Sequence, residues 1–499
     1  MSTRPNILVF LTDDHSPRAI STYDSSLIST PQIDRLAREG ARSDAAFCTN
    51  AICSPSRATV LTGKYSHLNG VTRFNSLVGG QPTVPGLLRQ AGYYTAVVGK
   101  WHLGSISAGM FDHWDVLPIQ GEYNDPWFAS PAGTRQVPGY VTDVVTDLSL
   151  GVLRRRPADR PFLLFVQHKA PHDPSTPRSD LRERFAEREF PYPPSFDDDF
   201  AGRSRAIRAM MERRQREETE RRRTHGQDYY SAEEKQRAEE LARGEVTLSD
   251  GSKRTLSETE RRQWQYQNHL KDYLRCVAAV DESVGRILDE LDRTGLADST
   301  LVLYTSDHGL CLGDHGMFDK RLMYDPSIRV PLLARWPGRI PAGIRTERLA
   351  INADLMPTLL DAAGVSVPDG VQGRSLLPVW QKTPPTDWRT SFYYRFYGSE
   401  SYRSGAHPPH YGVRTDRHKL IYFPETAEFE LYDLQADPHE MNNLASSPAH
   451  APLLQQLKTE LLRLRRELDD RDQFRHAQSD LVLDNEQPDY VPQFPLESR

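Results

Sequence analysis

The sequence C-S-P-S-R-A-T-V-L-T-G-K, residues 53–64, has the features of a helix with a defined start and a defined end. Ser54 is a residue type that caps helices, and Pro55 suits the first helical position, where the N–H that proline lacks would be unpaired. Gly63 is a typical helix stop, because glycine readily adopts the left-handed conformation. The pattern therefore predicts that Cys53 lies just outside a helix N-terminus.

That position of Cys53 favours a nearby anion. The free backbone N–H groups and the dipole of a helix attract negative charge at its N-terminus. Arg57 follows one turn later, so its guanidinium can fold back over the same place. A nucleophilic or modifiable side chain beside an anion-binding position indicates chemistry on a sulfate or a phosphate. The alternative is a buried structural cysteine ahead of an ordinary helix.

The chain is long, and its charges nearly balance. With 499 residues it has room for two or more domains. There are 62 lysines and arginines against 68 aspartates and glutamates, a formal net charge of −6. A nucleic-acid-binding protein would carry an excess of positive charge, so this balance argues against that class. The hydrophobic content of 38% is low for a compact enzyme and indicates a polar insertion.

The apolar segments of the sequence are too short to cross a membrane. Residues 7–11 are apolar and are soon followed by Asp13 and Asp14, which makes the segment shorter than a signal-peptide core. No other segment approaches the roughly 18 apolar residues of a transmembrane helix. The cysteines show neither metal-site spacing nor a disulfide pattern, which favours a reducing compartment. We therefore expect a cytoplasmic protein without membrane association. The four cysteines are Cys48, Cys53, Cys276 and Cys311.

Four apolar stretches each end in polar residues of the kinds that bind metals or transfer protons. Continuous apolar runs are typical of strands buried on both faces of a parallel sheet. Because ligands of open α/β sheets bind at the carboxyl ends of the strands, these four ends predict a single site. The predicted strands and the polar residues after them are 7–11 with Asp13 and Asp14, 94–98 with Lys100 and His102, 161–166 with His168, Lys169 and His172, and 299–304 with Asp307 and His308.

The whole pattern predicts an α/β fold with a large, mainly parallel central sheet flanked by helices on both faces, and a smaller C-terminal α+β domain. We place the catalytic domain at residues 1–380, with a charged helical insertion at about 178–265. The apolar spacing of residues 266–291 predicts a long amphipathic helix. The predicted C-terminal domain, residues 381–499, contains antiparallel strands within 411–423 and at 428–433, a helix at 451–468 and a tail from Arg471.

Asp13, Asp14 and Asp307 supply several hard carboxylate oxygens, which are the preferred ligands of Ca²⁺ and Mg²⁺. No Cys/His set with zinc spacing accompanies them. A helix cap or a turn would explain Asp13 and Asp14 alone, but a second strand end with Asp307 and His308 favours a metal site.

The order C-x-P-S-R followed by x-x-x-L-T-G, complete in residues 53–63, resembles the signature of the type I sulfatases of the alkaline phosphatase superfamily. The resemblance runs from about residue 5 to residue 445, and it is closest to the glycan-type sulfatases, mainly through residues 410–415. It implies a sulfatase. Further stretches that match the family are 99–104, 170–172, 307–320 and 431–444.

The resemblance implies a modified residue and a metal. In the family, a formylglycine-generating enzyme converts the cysteine to formylglycine, which implies this modification at Cys53. One divalent cation per chain, Ca²⁺ or Mg²⁺, is also implied. A histidine at position 308 is a softer ligand than calcium prefers, so the identity of the metal stays open. The implied ligands are Asp13, Asp14, Asp307, His308 and the modified Cys53.

The resemblance also implies a mechanism. One hydroxyl of the hydrated aldehyde at position 53 attacks sulfur, while fixed positive charge stabilises the charge that develops. His172 protonates the departing alcohol, and His102 removes the proton of the second hydroxyl so that sulfate leaves. The implied positive charges are the cation, Arg57, Lys100 and Lys320.

The implied substrate is a small-molecule or oligosaccharide sulfate ester. The nearest alternative is a phosphate or phosphonate monoester hydrolase of the same superfamily, although a phosphatase would normally carry a second metal and a serine or threonine at position 53. The other alternative is a non-catalytic relative that acts as a binding protein, which would be expected to lack part of the site. The sugar and the oligomeric state stay open.

Overall fold

A ten-stranded sheet forms the centre of the protein in a computed structural model that describes residues 4–224, 245–247, 251–398 and 407–471. In this sheet the strands follow the order β13-β2-β12-β11-β1-β8-β4-β5-β6-β7, where the numbers follow the chain. The described strands are β1 (Asn6–Asp13), β2 (Ala41–Ser43), β3 (Ala46–Phe47), β4 (Tyr94–Lys100), β5 (His113–Leu117), β6 (Trp127–Ser130), β7 (Gly133–Gln136), β8 (Phe162–Pro171), β9 (Glu245–Thr247), β10 (Lys253–Thr255), β11 (Thr300–Ser306), β12 (Leu332–Arg335), β13 (Ile344–Thr346), β14 (Ala350–Ile351), β15 (Ser391–Phe396), β16 (His410–Thr415), β17 (His418–Phe423) and β18 (Glu428–Asp433).

The middle of the sheet is parallel. β1 pairs in parallel with β11 on one side and with β8 on the other, and β8 pairs in parallel with β4. These strands are apolar runs that are buried almost throughout, as expected for a parallel sheet between two layers of helices. Antiparallel pairs occur towards the edges, where β12 pairs with β11 and β6 pairs with β5. The predicted mainly parallel sheet is confirmed.

Helices lie on both faces of the sheet and form two hydrophobic cores with it. The described helices are α1 (Pro31–Arg38), α2 (Cys53–Thr62), α3 (Ser66–Asn69), α4 (Val84–Gln90), α5 (Val141–Arg155), α6 (Arg205–Thr224), α7 (Glu258–Arg293), α8 (Asp325–Ile328), α9 (Leu355–Ala362), α10 (Leu377–Trp380) and α11 (Ala451–Glu467). α1, α5 and α7 contribute to one core, and α2, α4 and α9 contribute to the other. The long helix α7 begins earlier than predicted because Ser257 and Glu260 form a capping box at its start.

A four-stranded antiparallel sheet, β15-β16-β17-β18, lies in the C-terminal part of the chain, as predicted. α11 packs against this sheet and buries Leu457 and Leu461. The same hydrophobic core continues into the central region, where the rings of Phe47 and Phe392 stack with centroids 5.0 Å apart. The division into domains at residue 380 stays a prediction.

The charged insertion is described only in part. α6 covers its first helix, and Arg203, just before it, contacts Asp198 and the hydroxyl of Tyr432. Within the described part of the chain, no helix is both long enough and apolar enough to cross a bilayer. Residues 225–244 and 248–250 of the insertion and residues 472–499 of the predicted C-terminal tail lie outside the described residues.

Candidate active site

The carboxyl ends of four neighbouring strands meet the N-terminus of α2. β11, β1, β8 and β4 are adjacent in the sheet, so the polar residues that end or follow them come together at one edge. Lys320 joins them from the segment after β11. The structure brings together every site residue that the sequence predicts: Asp13, Asp14, Cys53, Arg57, Lys100, His102, His172, Asp307, His308 and Lys320.

Cys53 is the first residue of α2 rather than a residue outside the helix, and Ile52 is the cap residue with an extended backbone. The prediction that Ser54 caps this helix is wrong, because its hydroxyl donates to the backbone oxygen of His102 at 2.7 Å. Pro55 accordingly occupies the third helical position rather than the first. Cys53 itself therefore sits at the positive end of the helix dipole.

A cluster of metal-ligating atoms lies beside the sulfur of Cys53. Its Sγ is 3.4 Å from Oδ1 of Asp13 and 3.4 Å from Nε2 of His308. One ligand atom each from Asp13, Cys53, Asp307 and His308 lie within 4.8 Å of one another. Asp14 adjoins the cluster, 3.2 Å from Nδ1 of His308, and its left-handed backbone, φ 64°, allows two consecutive carboxylates to face one site. A hard divalent cation suits these donors.

Two lysines flank the sulfur and bind the carboxylates. Nζ of Lys100 lies 2.5 Å from Oδ2 of Asp13, and Nζ of Lys320 lies 2.6 Å from Oδ1 of Asp14. Each ammonium is also 3.9 Å from Sγ of Cys53. Both lysines are therefore placed to contact the oxygens of a group that is attacked from position 53.

Arg57 holds the carboxylates in place. Its guanidinium donates to Asp307 at 3.0 Å and to Asp13 at 2.9 Å. It also donates to the backbone oxygen of Lys100 and to the side chain of Gln167. Arg57 is only 1% exposed, and these donors are bound to protein groups. The contacts therefore indicate that Arg57 orients the candidate metal-ligating carboxylates. Its direct contact with a substrate stays a prediction.

The three carboxylates and the three cations of the site balance in charge. Burial opposes the ionisation of Asp13, but Lys100 and the other cations outweigh it and hold the pKa of this carboxyl well below its ordinary value. Burial and the charge of Asp13 raise the pKa of Asp307. Burial and Asp13 also raise the pKa of the Cys53 thiol to about 12, so the unmodified side chain is a neutral thiol. A divalent cation would make the site positive and attractive to an anionic ester.

His172 faces the carboxylates from the end of β8. Its Nε2 is 3.8 Å from Oδ1 of Asp13 and 3.7 Å from Oδ2 of Asp14. Its Nδ1 lies 2.6 Å from the backbone oxygen of Asp173, and this contact orients the ring with Nε2 towards the site. The hydroxyl of Tyr123 donates to the backbone oxygen of His172 at 2.6 Å. Nε2 is therefore the atom of His172 that is placed to transfer a proton.

His102 follows β4 in a left-handed conformation, φ 56°, and its ring packs against Phe74 with centroids 5.3 Å apart. Gln120 contacts Nε2 of His102 at 3.5 Å and also binds the ammonium of Lys100. Burial and the charge of Lys100 lower the pKa of His102 well below its ordinary value. The ring is therefore a neutral imidazole, the form that accepts a proton.

Sequence analysis missed three residues that support the site: Gln120, Tyr123 and Gln167. Gln167 follows a predicted strand directly, and that position was a usable signal. Gln120 and Tyr123 follow β5, whose five residues alternate poorly between polar and apolar types, so no strand was predicted there. No local pattern indicates that the segment after β5 reaches the site.

Comparison with known proteins identifies the family. The sulfatase family model matches residues 5–365, and a model described as N-sulphoglucosamine sulphohydrolase, C-terminal, matches residues 313–467. An N-acetylglucosamine-6-O-sulfatase of Bacteroides thetaiotaomicron is 39% identical over 94% of this chain and 88% of the relative. The human N-acetylglucosamine-6-sulfatase is 27% identical over 79% of this chain and 68% of the relative.

Solved structures agree with the sequence comparisons. A protein in complex with its substrate D-glucosamine-2-N,6-O-disulfate superposes with a TM-score of 0.85 at 37% identity, over 95% of this chain and 100% of the other. A phosphonate monoester hydrolase of Agrobacterium radiobacter shares the fold, with a TM-score of 0.71 at 22% identity over 93% and 96% of the two chains. The match to the family model and the 39% identity together show that the chain belongs to the sulfatase family, the enzymes that hydrolyse sulfate esters.

Proposed function

We propose that the protein hydrolyses the 6-O-sulfate ester of N-acetylglucosamine and of related glucosamine sulfates. The observation that carries this proposal is the 39% identity, across nearly the whole chain, to a relative named N-acetylglucosamine-6-O-sulfatase. The similar structure that binds D-glucosamine-2-N,6-O-disulfate supports the same substrate class, because that ligand carries the same 6-O-sulfate. The products are the sugar with a free 6-hydroxyl and inorganic sulfate.

One divalent cation, Ca²⁺ or Mg²⁺, belongs to the proposal. The donors fit such an ion because carboxylate oxygens dominate the set and the ligand atoms cluster within 4.8 Å. When bound, the ion supplies a Lewis acid that polarises the sulfuryl group. The residues that would hold it are Asp13, Asp14, Asp307, His308 and the modified residue 53.

Conversion of Cys53 to formylglycine by a formylglycine-generating enzyme is the second part of the proposal. The modified residue supplies a hydrated aldehyde as the nucleophile. The state of the unmodified side chain supports this assignment, because Cys53 is a buried, neutral thiol and a thiol attacks only weakly unless it is ionised.

Lys100 and Lys320 bind the oxygens of the sulfuryl group in this proposal. Their ammonium groups each lie 3.9 Å from Sγ of Cys53. Negative charge gathers on the ester oxygens as the S–O bond breaks, and fixed ammonium groups stabilise that charge without reorganising. Arg57 acts indirectly, because it holds the carboxylates of Asp13 and Asp307 in place rather than contacting the sulfuryl group.

The two histidines divide the proton transfers. His172 gives a proton from Nε2 to the oxygen of the departing sugar. Burial and the charge of Lys100 lower the pKa of this ring well below its ordinary value, and the negative charge of a bound ester opposes that lowering. His102 accepts a proton from the residue at position 53. The hydrogen bond from the hydroxyl of Ser54 to the backbone oxygen of His102 holds this histidine beside the start of α2. Phe74 and Gln120 fix the plane of the His102 ring.

A phosphate or phosphonate monoester hydrolase is the second candidate. It is favoured by a relative from Trinickia caryophylli, named a multifunctional alkaline phosphatase superfamily protein, which is 27% identical over 91% of this chain and 93% of the relative. It is disfavoured because the candidate metal-ligating groups among the described residues share Asp13, which indicates one metal site rather than two. A non-catalytic binding protein is disfavoured because the predicted catalytic residues are all present and adjacent.

The test uses protein produced together with a formylglycine-generating enzyme and compares N-acetylglucosamine-6-sulfate with N-acetylglucosamine-3-sulfate, galactose-6-sulfate and N-acetylglucosamine-6-phosphate. Released sulfate or phosphate is measured by ion chromatography, with Cys53→Ala as the inactive control. We expect kcat/KM for the first substrate to exceed the others by at least about 100-fold, since a site built to bind substrate hydroxyls discriminates strongly. Equal rates on the two 6-sulfates, or faster release of phosphate, would contradict the proposal.

A further inference from the structure

Lys169 is a buried lysine beside the site that has no anionic partner. It lies near the end of β8 and is 3% exposed. Its ammonium lies 5.0 Å from the centre of the Tyr123 ring. Among the described residues it forms neither a hydrogen bond nor an ion pair with any acceptor, and Asp13, Asp173 and Glu122 attract it only from beyond ion-pair distance. A buried ammonium in this state is unfavourable.

The other buried lysines near the site and in the C-terminal sheet are paired. Lys100 binds Asp13, and Lys320 binds Asp14. Lys419 binds both Asp325 and Glu440. The contrast indicates that the partner of Lys169 is not a group of the described chain. Burial and the repulsion of Lys100 lower the pKa of Lys169 to about 8, and a bound anion would reverse this effect.

The surroundings of Lys169 place it on the side from which the sugar departs. The ammonium of Lys169 lies over the ring of Tyr123, and the hydroxyl of Tyr123 donates to the backbone oxygen of His172. The backbone N–H of His172 donates to the backbone oxygen of Lys169 at 3.1 Å. Lys169 therefore adjoins the predicted general acid through its own backbone and through Tyr123.

We propose that Lys169 binds a second anionic group of the substrate, a sulfate or carboxylate carried by the departing saccharide, and thereby selects saccharides with an anion beside the reacting sulfate. This inference rests on the proposed function, because it takes a sulfated glucosamine as the substrate. The anion is either on the same sugar ring or on the neighbouring ring of an oligosaccharide. The face of Tyr123 holds the ammonium in place, and the ammonium can bind a carboxylate or sulfate without displacing an existing ion pair.

The test compares three substrates that share the reacting 6-sulfate. N-acetylglucosamine-6-sulfate has no second anion, glucosamine-N,6-disulfate has one on the same ring, and a disaccharide of a uronate and N-acetylglucosamine-6-sulfate has one on the next ring. The variants are Lys169→Met, which keeps the apolar stem on Tyr123, and Lys169→Arg, which keeps the charge. Lys458→Met, on α11, is the matched control for removing a lysine.

We expect the wild type to prefer one of the two substrates with a second anion, and the preferred substrate identifies the position of that anion. Lys169→Met should lower kcat/KM for that substrate about 10–100-fold more than for N-acetylglucosamine-6-sulfate, mainly through KM, because truncating one member of a buried charge pair weakens binding of the other. Lys169→Arg should restore most of the preference.

Several results would overturn the inference. If Lys169→Met loses activity equally on all three substrates, the lysine acts through His172 rather than on a second anion. If the wild type shows no preference for a substrate with a second anion, no anion binds there, and this measurement does not depend on whether a variant folds. The two proposals fail separately. A wild type that hydrolyses none of the three overturns the proposed function and this inference with it, whereas hydrolysis of all three without a substrate-dependent loss overturns only the role of Lys169.

Discussion

Replacing Lys320 with methionine should make the stability of the folded protein depend on a bound divalent cation, whereas the wild type should stay folded without one. In the native site three carboxylates face three cations, so the buried charges are compensated before any divalent ion binds. Nζ of Lys320 is 2.6 and 2.7 Å from the two oxygens of Asp14. Among the described residues no other lysine or arginine pairs with Asp14. Lys320→Met therefore leaves this carboxylate buried without a fixed positive charge.

The size of the effect follows from the burial of the pair. Removing one member of a buried ion pair costs about 3–5 kcal/mol, because the remaining charge stays buried and uncompensated. For the wild type, the loss on chelation is set only by metal binding, and an ion present at 100 times its Kd contributes about 2.7 kcal/mol. We expect chelated Lys320→Met to be about 3–5 kcal/mol less stable than chelated wild type, and a bound divalent cation to recover most of this difference by compensating Asp14.

The assay is urea unfolding of both proteins in excess chelator and again with saturating Ca²⁺ or Mg²⁺. Lys458→Met serves as the control, since it removes an ammonium that lies over the ring of Phe429 and forms no ion pair with Asp13, Asp14 or Asp307. Wild-type turnover should vanish in chelator and return with the cation while the protein stays folded. Equal stability of the two chelated proteins would refute the charge argument, and full wild-type activity with no metal found by elemental analysis would refute the metal site.

Three further predictions concern His172, Cys53 and Asp281. His172→Ala should lower turnover of a sugar sulfate by about 10²–10⁴-fold but affect 4-nitrophenyl sulfate much less, because nitrophenolate leaves without a proton; equal losses on the two substrates would remove His172 from the general-acid role. Turnover should rise in proportion to the aldehyde fraction at Cys53 measured by peptide mass, and Cys53→Ser should complete at most one slow sulfation; repeated turnover by unmodified protein would contradict this. Burial raises the pKa of Asp281 to about 7, so the folded state keeps a proton that the unfolded chain releases. The free energy of unfolding should therefore fall by up to about 1.4 kcal/mol for each pH unit as the pH rises from about 4 to about 7. Asp281→Asn should abolish this fall in urea unfolding at each pH while it still accepts the hydrogen bonds from Gln32 and Ile33; the same slope in both proteins would argue against a protonated Asp281.

The parallel core could be predicted because each of its strands carries a local signal. β1, β4, β8 and β11 are buried on both faces and are therefore apolar along nearly their whole length. The edge of the sheet carries no such signal. β2 is three residues long and pairs with β12 and β13, which lie almost 300 residues later in the chain. Pairing of this kind depends on tertiary contacts and not on a local period.

The two ends of α2 illustrate the same limit within one helix. Gly63 was correctly predicted as the stop, since the chain reverses there through a left-handed conformation, φ 65°, that glycine adopts without strain. Ser54 was wrongly predicted as the cap, since its hydroxyl bonds to His102, 48 residues away. A stop is set by backbone conformation at one residue, whereas a cap depends on which partner the side chain meets.

The same distinction separates the parts of the site that could be predicted from those that could not. Asp13, Lys100 and His172 were predicted because a polar residue that ends or follows a buried parallel strand lies at the edge of the sheet where ligands bind. Their pairing was not predictable, because it depends on side-chain conformations that residue types leave open. Lys100 and Lys169 are both buried lysines at the ends of adjacent strands, yet Lys100 binds Asp13 and Lys169 binds no carboxylate among the described residues. The proposed roles of the two lysines, one beside the candidate metal ligands and one for an anion of the substrate, follow from that difference in contacts, so they require the three-dimensional arrangement.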